Sequence, residues 1–472
     1  MKNRNKDTKE ITEVILKAKE KAYAELDTEA ESEFVRNVKW PVDCVVGPGL
    51  EGAIACESKV GYVNGSKGWL VYRGYNIFDL CAYSSFEEVS YLLLYGKLPT
   101  ENQLKKFKEK LKGYRNIPKT IRLLSSFPVQ DMNAMGAVRL GTNLMRQECT
   151  FVDKKEYKPD VKTAISADED SIPMETRPMG ERKAIYSLKQ AEGITRPSGL
   201  SKDLHMPVGF EPALHLISGI PTIAGAVARL RVGELPLNPD PELSHAGNLI
   251  YMITGRKPTP VEERIMDISL ILHADHGMNA STFATMVVAS TLSDLYFAVG
   301  SGIAALNGSL HGGANERVVK MLSEIGDSKN VKKWYKKKTT KKEKISGFGH
   351  RVYKAYDPRA RVLGPLAHFL VKSESDKKIA GLFKVAQELE KEVVSTLGEK
   401  KKVFPNVDFY SGIVYSCLDI PTELFTPIFA VSRVSGWTAR VLEYLKNNRI
   451  FRPRAVYSGP LEEKYVPINK RK

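Results

Sequence analysis

The stretch "GFGHRVYKAYDPRA", residues 347–360, places a histidine behind a Gly-x-Gly and follows it with a run of cations. Arg351, Lys354, Arg359 and Arg361 all lie within eleven residues of His350. Asp357–Pro358 predicts a turn just ahead of Arg359. A guanidinium held rigidly there can grip a carboxylate with two parallel N–H donors, the chemistry a di- or tricarboxylate substrate requires. A solvated basic loop around a core histidine is the competing reading. What separates the two is whether other reactive side chains share a cavity with this one.

The bulk of the chain sets limits first. Its 472 residues, 42% of them hydrophobic, suffice for a large core and for two or three domains. Leu-rich and Met-containing segments without strand-like alternation predict a mostly α fold. Cys44, Cys56, Cys81, Cys149 and Cys417 are odd in number, far apart and without a CxxC, which suits reduced thiols in the cytoplasm. Residues 1–35 carry too many charges for a secretory signal and too many acids for an organelle-targeting peptide, and read as a solvated helical extension. No uncharged run of eighteen apolar residues suggests a membrane span. The nearest, Leu214 to Leu230, contains His215, Pro221 and glycines, and predicts a buried, broken helix. The formal net charge of +16 invites a nucleic-acid reading, but no finger spacing or aromatic-interleaved patch supports it. Lys332 to Lys344 holds eight lysines in thirteen residues, either a solvated helix end or a positive field for a polyanionic small molecule.

Along the chain, Gly49–Leu80 reads as small hairpins separated by NG and KG turns. A helix is expected from Phe86, stopped by Gly96, and Thr100 with Gln103 forms a capping box for the next. Residues 151–200 are charged, contain prolines and lack a period, and read as an insertion. Dense helix resumes over 208–330 and again from Ala360 to about Leu397, with a last helix through "FTPIFAVSRVSGW". "VVGPGLEG", Val45 to Gly52, matches a dinucleotide fingerprint. The next residues soon reach a turn, however, and Pro48 removes an N–H from the phosphate nest, so that reading is rejected.

Four of eight histidines fall between 273 and 350. In "ILHADHGMNASTF", His273 and His276 would share a helix face, but HExxH or a cysteine pair is missing, so no metal is assigned. A structural pair or an anion contact remains. In "LNGSLHGGAN", His311 precedes two glycines and an expected helix. The helix dipole disfavours its protonated form, and a neutral imidazole can donate to a developing oxyanion. Gly312 and Gly313 are expected to let backbone and ligand approach closely. In "VFPNVDFYSG", Asp408 is either a helix N-cap or a general base beside Phe404, Val407 and Phe409. Arg433 sits deep in an apolar helix and requires a partner. Arg452 and Arg454 add guanidiniums near the end. Together these suit carbanion chemistry between two anionic reactants: a base, a donor for the enolate, and a second histidine polarising an acceptor carbonyl. A serine or cysteine hydrolase is the weaker reading, since GxSxG is missing.

In this order, "GWLVYRGYNIFDL", "SYLLLYGKLPT", "HADHGMNASTF", "LHGGANE", "GFGHRVYKAYDPRA", "FPNVDFYSG" and "FAVSRVSGW" resemble the signature segments of the citrate synthase family, from about Leu50 to Gly459. The resemblance implies a mostly α, two-domain fold, with a large helical domain, a smaller helical domain that closes on substrate, and a homodimer. It divides the chain into an extension (1–35), the large domain (36–312, with the 151–200 insertion), the small domain (313–419) and the C-terminal part of the large domain (420–472). It further implies condensation of acetyl-CoA with oxaloacetate, then hydrolysis of the citryl thioester, a step of the tricarboxylic acid cycle.

By position, His311 matches the residue that stabilises the enol, Asp408 the base and His350 the group that polarises the oxaloacetate carbonyl. His276, Arg359 and Arg433 match oxaloacetate contacts, and Arg452 the arginine given to the neighbouring subunit's site. Lys354 and Lys401 fall where coenzyme A phosphates are met. No cofactor is implied, because the coenzyme A thioester is a substrate. Neither a nucleic acid nor a membrane is an expected partner. Gly277 departs from the glutamate many members carry, and the insertion has no common counterpart. A 2-methylcitrate synthase using propionyl-CoA shares every element, and an inactive binding or scaffold paralogue is the alternative of another class.

Overall fold

In a computed structural model, residues 4–25, 40, 42–148, 210–373, 377–460 and 463–471 are described. The 151–200 insertion, Cys149 and all of 26–39 lie outside them. Among the described residues the fold is mostly α, as the helical patterning predicts, with one small antiparallel sheet.

That sheet is β1 (Gly61–Asn64), β2 (Trp69–Tyr72) and β3 (Tyr75–Asn76), in sequence order and joined by tight turns. Gly61 pairs with Tyr72 and Asn64 with Trp69, which brings the turn residue Gly65 to the sheet's end. Early helices follow the cap signals. With α1 as Arg4–Ala24 and α2 as Ile77–Tyr83, α3 runs Phe86–Tyr95 and ends on Gly96 at φ 80, a left-handed cap that glycine takes without steric cost. The expected Thr100–Gln103 capping box opens α4 (Glu101–Tyr114). Helices α5 (Pro118–Leu124) and α6 (Ala134–Leu144) follow.

The segment expected to be a broken helix is one continuous helix, α7 (Phe210–Arg231), with Pro221 inside it. It is apolar and long enough to cross a membrane, yet 89% of its apolar window is buried in protein. Its glycines are packing positions. A Cβ on Gly219 would lie 2.3 Å from Cε of Met145, and one on Gly225 2.5 Å from Cβ of Met252. Around α7 pack α8 (His245–Thr254), α6 and α17 (Phe425–Tyr444), with α9 (Pro260–His273), α10 (Ala280–Ser290) and α11 (Leu295–Leu306) against α17.

Helices α12 (Ala314–Ile325), α13 (Val331–Thr340), α14 (Pro358–Ser373), α15 (Lys377–Val393) and α16 (Val407–Cys417) pack largely on one another. The lysine-rich run forms α13, held by buried Val331 and Tyr335, with most of its lysines exposed.

The N-terminal segment differs from expectation. Helix α1 is not a solvated arm, because Ile11, Ile15 and Ala18 form a stripe at helical spacing that is buried against α2 and α14. Lys19 pairs with Asp79 of α2 at 2.6 Å. The high charge of this segment occupies its other faces and concealed the stripe.

Candidate active site

Two segments, 347–359 and 404–408, carry His350, Lys354, Arg359 and Asp408, and the chain ties them together. Phe348 and Pro405 form an antiparallel bridge. The Gly349 N–H donates to the Phe404 carbonyl and the Asn406 N–H to the Gly347 carbonyl, each at 2.9 Å. Gly347 has φ 81, and a Cβ there would meet Val318 and Phe409 within 3 Å, so glycine is required. On its other side the His350 loop is held by the hairpin, where the Lys354 N–H donates to the Gly65 carbonyl at 2.8 Å.

This clamp fixes the protonation pattern of His350. Its Nδ1 accepts the Val352 and Tyr353 N–H groups at 3.0 and 3.1 Å. A backbone N–H can only donate, so Nδ1 is bare and the neutral ring carries its proton on Nε2. Burial, then the positive charge of Arg359, pushes the pKa of His350 down to about 4, so the ring is neutral at neutral pH.

His311 is fixed in the opposite sense. Its Nε2 accepts the Ser281 N–H at 3.2 Å, with Ser281 Oγ at 2.9 Å, so the neutral ring keeps its proton on Nδ1. Burial, then Arg433, pushes its pKa down to about 4. The expected cause was the dipole of the helix that follows. Instead, desolvation dominates, and the helix that matters is α10, whose first-turn Ser281 N–H would otherwise lack a partner. The role expected for Gly312 also changes. A Cβ there would lie 2.0 Å from the Leu306 carbonyl oxygen, so the glycine accommodates the chain's own backbone rather than a ligand. Gly313, at φ 71, then starts α12 and donates its N–H to Thr426 Oγ1 at 3.1 Å.

Asp408 is not the N-cap of α16. Asn406 takes that position and accepts the Asp408 N–H at 3.0 Å. The half-buried Asp408 carboxylate has no hydrogen-bond donor among the described residues. Burial pushes its pKa up to about 6, against the pull of Arg359. An under-solvated carboxylate without donors, at the start of a helix, is suited to act as a base.

His273 and His276 do not share a helix face, because α9 ends at His273. His273 is a core residue. It donates from Nδ1 to the Ser269 carbonyl at 2.5 Å and packs on Phe429. His276 faces the site, with its ring 5.2 Å from that of His350. Between them, Asp275 is buried and held by Arg440 through two bonds of 2.7 and 2.8 Å. Gly277 has φ 62, a left-handed conformation that glycine adopts without steric cost.

The arginines divide into one that is braced and one that is not. Arg359 makes a two-pronged contact, but with its own neighbour Asp357 rather than with a substrate carboxylate as expected, Nε to Oδ1 at 3.0 Å and Nη2 to Oδ2 at 2.7 Å. Despite burial, the pair holds Asp357 ionised and Arg359 charged. Asp357 also accepts the Val407 N–H at 3.2 Å, which locks this turn to α16. Among the described residues the buried Arg433 has only one protein bond, Nε to the His273 carbonyl at 2.8 Å. Burial and the like charge of Arg359 lower its pKa to about 10. A buried cation repelled by a second cation is a seat for an anion. The charge of Arg433 pulls down on the pKa of His276, His311 and Asp408 alike, although burial leaves that of Asp408 raised.

The remaining expected residues lie outside this cluster. Lys354 is exposed at its edge, Lys401 is exposed beyond α15, and Arg452 is exposed on the extended C-terminal tail. Among the described residues, no three His, Cys, Asp or Glu side chains gather as a metal site. Sequence reasoning missed Ser281, Tyr353, Asp357 and Asn406. The two polar residues directly beside a turn, Asp357 and Asn406, carried a local capping signal; Ser281 and Tyr353 act across the fold and carried none.

A sequence model of the family described as "Citrate synthase, C-terminal domain" matches residues 49–454. The chain is 39% identical over 427 residues to a citrate synthase of Deinococcus radiodurans, covering 90% of this chain and 99% of that one. It is likewise 39% identical over 425 residues to a citrate synthase of Haloferax volcanii, covering 90% and 98%. Among solved structures it is similar to citrate synthase from Pyrobaculum aerophilum, at TM-score 0.75 and 38% identity, covering 93% of this chain and all (100%) of that one. It is also similar to the Thermoplasma acidophilum citrate synthase solved as a ternary complex with carboxymethyl coenzyme A and oxaloacetate, at TM-score 0.74 and 32% identity, covering 91% and 100%. The chain belongs to the citrate synthase family, enzymes of the acyltransferase class.

Proposed function

We propose that the chain condenses acetyl-CoA with oxaloacetate and hydrolyses the resulting citryl thioester to citrate and free coenzyme A. The observation that carries this reading is the pair of neutral histidines held in opposite tautomers. His311 offers Nδ1–H and His350 offers Nε2–H, and Asp408 adds a carboxylate that has no donor of its own among the described residues.

Asp408 removes a methyl proton from acetyl-CoA. The His311 Nδ1–H donates to the thioester oxygen as it becomes an enolate oxygen. The enol carbon then attacks the ketone carbon of oxaloacetate, while the His350 Nε2–H donates to the ketone oxygen, which becomes the citryl hydroxyl. Water finally cleaves the thioester and releases the thiol. Arg359 and Arg433 hold the carboxylates of oxaloacetate, with His276 beside them. Lys354 and Lys401 meet coenzyme A phosphates. No cofactor is needed.

Helices α12–α16 form the small domain, residues 313–419, which closes on the rest and excludes water from the enolate. The chain works as a homodimer, to which Arg452 is given in trans. The tail that bears it supports this, since Val456, Tyr457, Tyr465 and Ile468 are all largely exposed on their own subunit. We place the protein in the cytoplasm on its scattered cysteines.

The test is release of free thiol by the purified protein with oxaloacetate and either acetyl-CoA or propionyl-CoA. A higher kcat/KM with acetyl-CoA supports the proposal. A higher value with propionyl-CoA assigns a 2-methylcitrate synthase with the same residues in the same roles, because one methylene is worth only about 1–3 kcal/mol of discrimination. Inactivity with both, in a folded protein, contradicts it.

A further inference from the structure

Tyr353 touches three members of the site and belongs to none of the roles above. Its backbone N–H donates to Nδ1 of His350 at 3.1 Å. Its ring lies 4.9 Å from the ring of His350 and 5.5 Å from that of His276. The Arg359 guanidinium lies over its face, 5.8 Å from the ring centre. The side chain is 2% exposed, and its hydroxyl has one protein partner among the described residues, His276 Nε2 at 3.2 Å.

A buried phenol keeps its proton, and here burial and the neighbouring Asp357 push its pKa well above the ordinary range. Among the described residues that proton has a single protein acceptor within reach, Nε2 of His276. The ring of His276, itself kept neutral by burial and Arg359, then carries its proton on Nδ1. Nδ1 has no protein partner among the described residues and is not sealed away from the cleft.

Building on the reading of the site as an oxaloacetate site, we propose that Tyr353 is a positioning residue for its substrate end. Its hydroxyl fixes His276 in the Nδ1–H tautomer, so that His276 presents one N–H donor to a substrate carboxylate or carbonyl. The bond spans two parts of the chain, from the loop after α9 to the His350 loop. It therefore also keeps the two histidines at a set separation.

The test reads oxaloacetate binding by calorimetry on the full chain without acyl-CoA, which makes it independent of turnover. Four variants are compared: Tyr353→Phe, His276→Asn, His276→Gln, and Tyr353→Phe combined with His276→Asn. An Asn amide places its N–H near the position of Nδ1, and a Gln amide near Nε2. Tyr353→Phe is expected to weaken oxaloacetate binding about tenfold, the worth of one well-placed hydrogen bond. In kinetics it raises the KM for oxaloacetate and leaves the KM for acetyl-CoA within about twofold, a split that general loosening of the fold would not give.

His276→Asn is expected to bind oxaloacetate more tightly than His276→Gln, and adding Tyr353→Phe to His276→Asn brings no further loss. Unchanged binding in Tyr353→Phe, or tighter binding by His276→Gln than by His276→Asn, overturns the inference. Should Tyr353→Phe not fold, the Asn and Gln pair still decides it. A wild-type chain that binds oxaloacetate but forms no citrate defeats the functional reading alone, whereas one that binds no oxaloacetate defeats both.

Discussion

Asn406 donates its side-chain amide to the carbonyl oxygen of Gly349 at 2.9 Å. The other end of the same amide accepts the Asp408 N–H at 3.0 Å, so one side chain sets the spacing between the His350 loop and the helix of the proposed base. Asn406→Ala removes both bonds. The expected result is a stability loss of about 1 kcal/mol, typical of a lost N-cap, seen as a lower denaturation midpoint. Because two reacting groups lose their registration, kcat is expected to fall much further than that figure suggests, by tenfold or more in order of magnitude.

Asp408 sets the acid side of the pH profile. Its pKa of about 6 predicts that kcat/KM falls as pH drops through that value, whereas His311 and His350, at about 4, stay neutral above pH 5 and add no limb there. The stability consequence runs the other way. The native carboxyl binds its proton more tightly than the unfolded one, so stability declines as pH rises from about 4 to about 6. Asp408→Asn is therefore expected to lose on the order of 10³-fold in kcat while its Tm at pH 7 equals or exceeds that of wild type. A Tm advantage that grows toward pH 4 would contradict this.

Arg433 is the buried cation that lacks an anion. Oxaloacetate is expected to raise the Tm of the wild-type protein, since a ligand that binds only the native state stabilises it. Arg433→Met is expected to weaken oxaloacetate binding on the order of a hundredfold and to abolish that thermal shift. Its unliganded Tm should change little, because loss of the bond to the His273 carbonyl is offset by relief of repulsion from Arg359. Calorimetry and thermal denaturation check both halves.

Gly65 reports on the hold that the hairpin has on the His350 loop. A Cβ there would sit 2.1 Å from the Val352 carbonyl oxygen, and backbone rather than a flexible side chain would have to move. Gly65→Ala is expected to cost about 1–3 kcal/mol and to lower kcat by displacing His350. Gly113→Ala, in α4 with nothing within 4 Å, serves as the control. It should leave activity unchanged and stability equal or slightly higher. Equal kinetics for the two variants would show that the hairpin does not position the loop.

Local signals explain which parts of the fold were legible. The Thr100 capping box and the Gly96 stop depend on residues three or four positions apart, so the chain itself displays them. Helix α7 was not legible as one helix, because Pro221 and its glycines read as breakers until Met145 and Met252 are seen packed against Gly219 and Gly225. The stripe on α1 was hidden by the charges around it.

At the site, His311, His350, Asp408 and Arg433 each stood out by composition, as a titratable group among glycines or apolar residues, and Arg359 by the Asp357–Pro358 turn ahead of it. Their states were not legible. The tautomer of His311 depends on Ser281, thirty residues earlier, and that of His276 on Tyr353, 77 residues later. The role of Asp408 depended on Asn406 relieving it of capping.

The most direct test of the proposed chemistry is to follow [2-¹³C]acetyl-CoA by NMR with the wild-type protein, with and without oxaloacetate. The account predicts label in a methylene carbon of citrate, thiol release only when oxaloacetate is present, and loss of both in Asp408→Asn. Thiol release without oxaloacetate, leaving labelled acetate, would show a thioesterase and contradict the account.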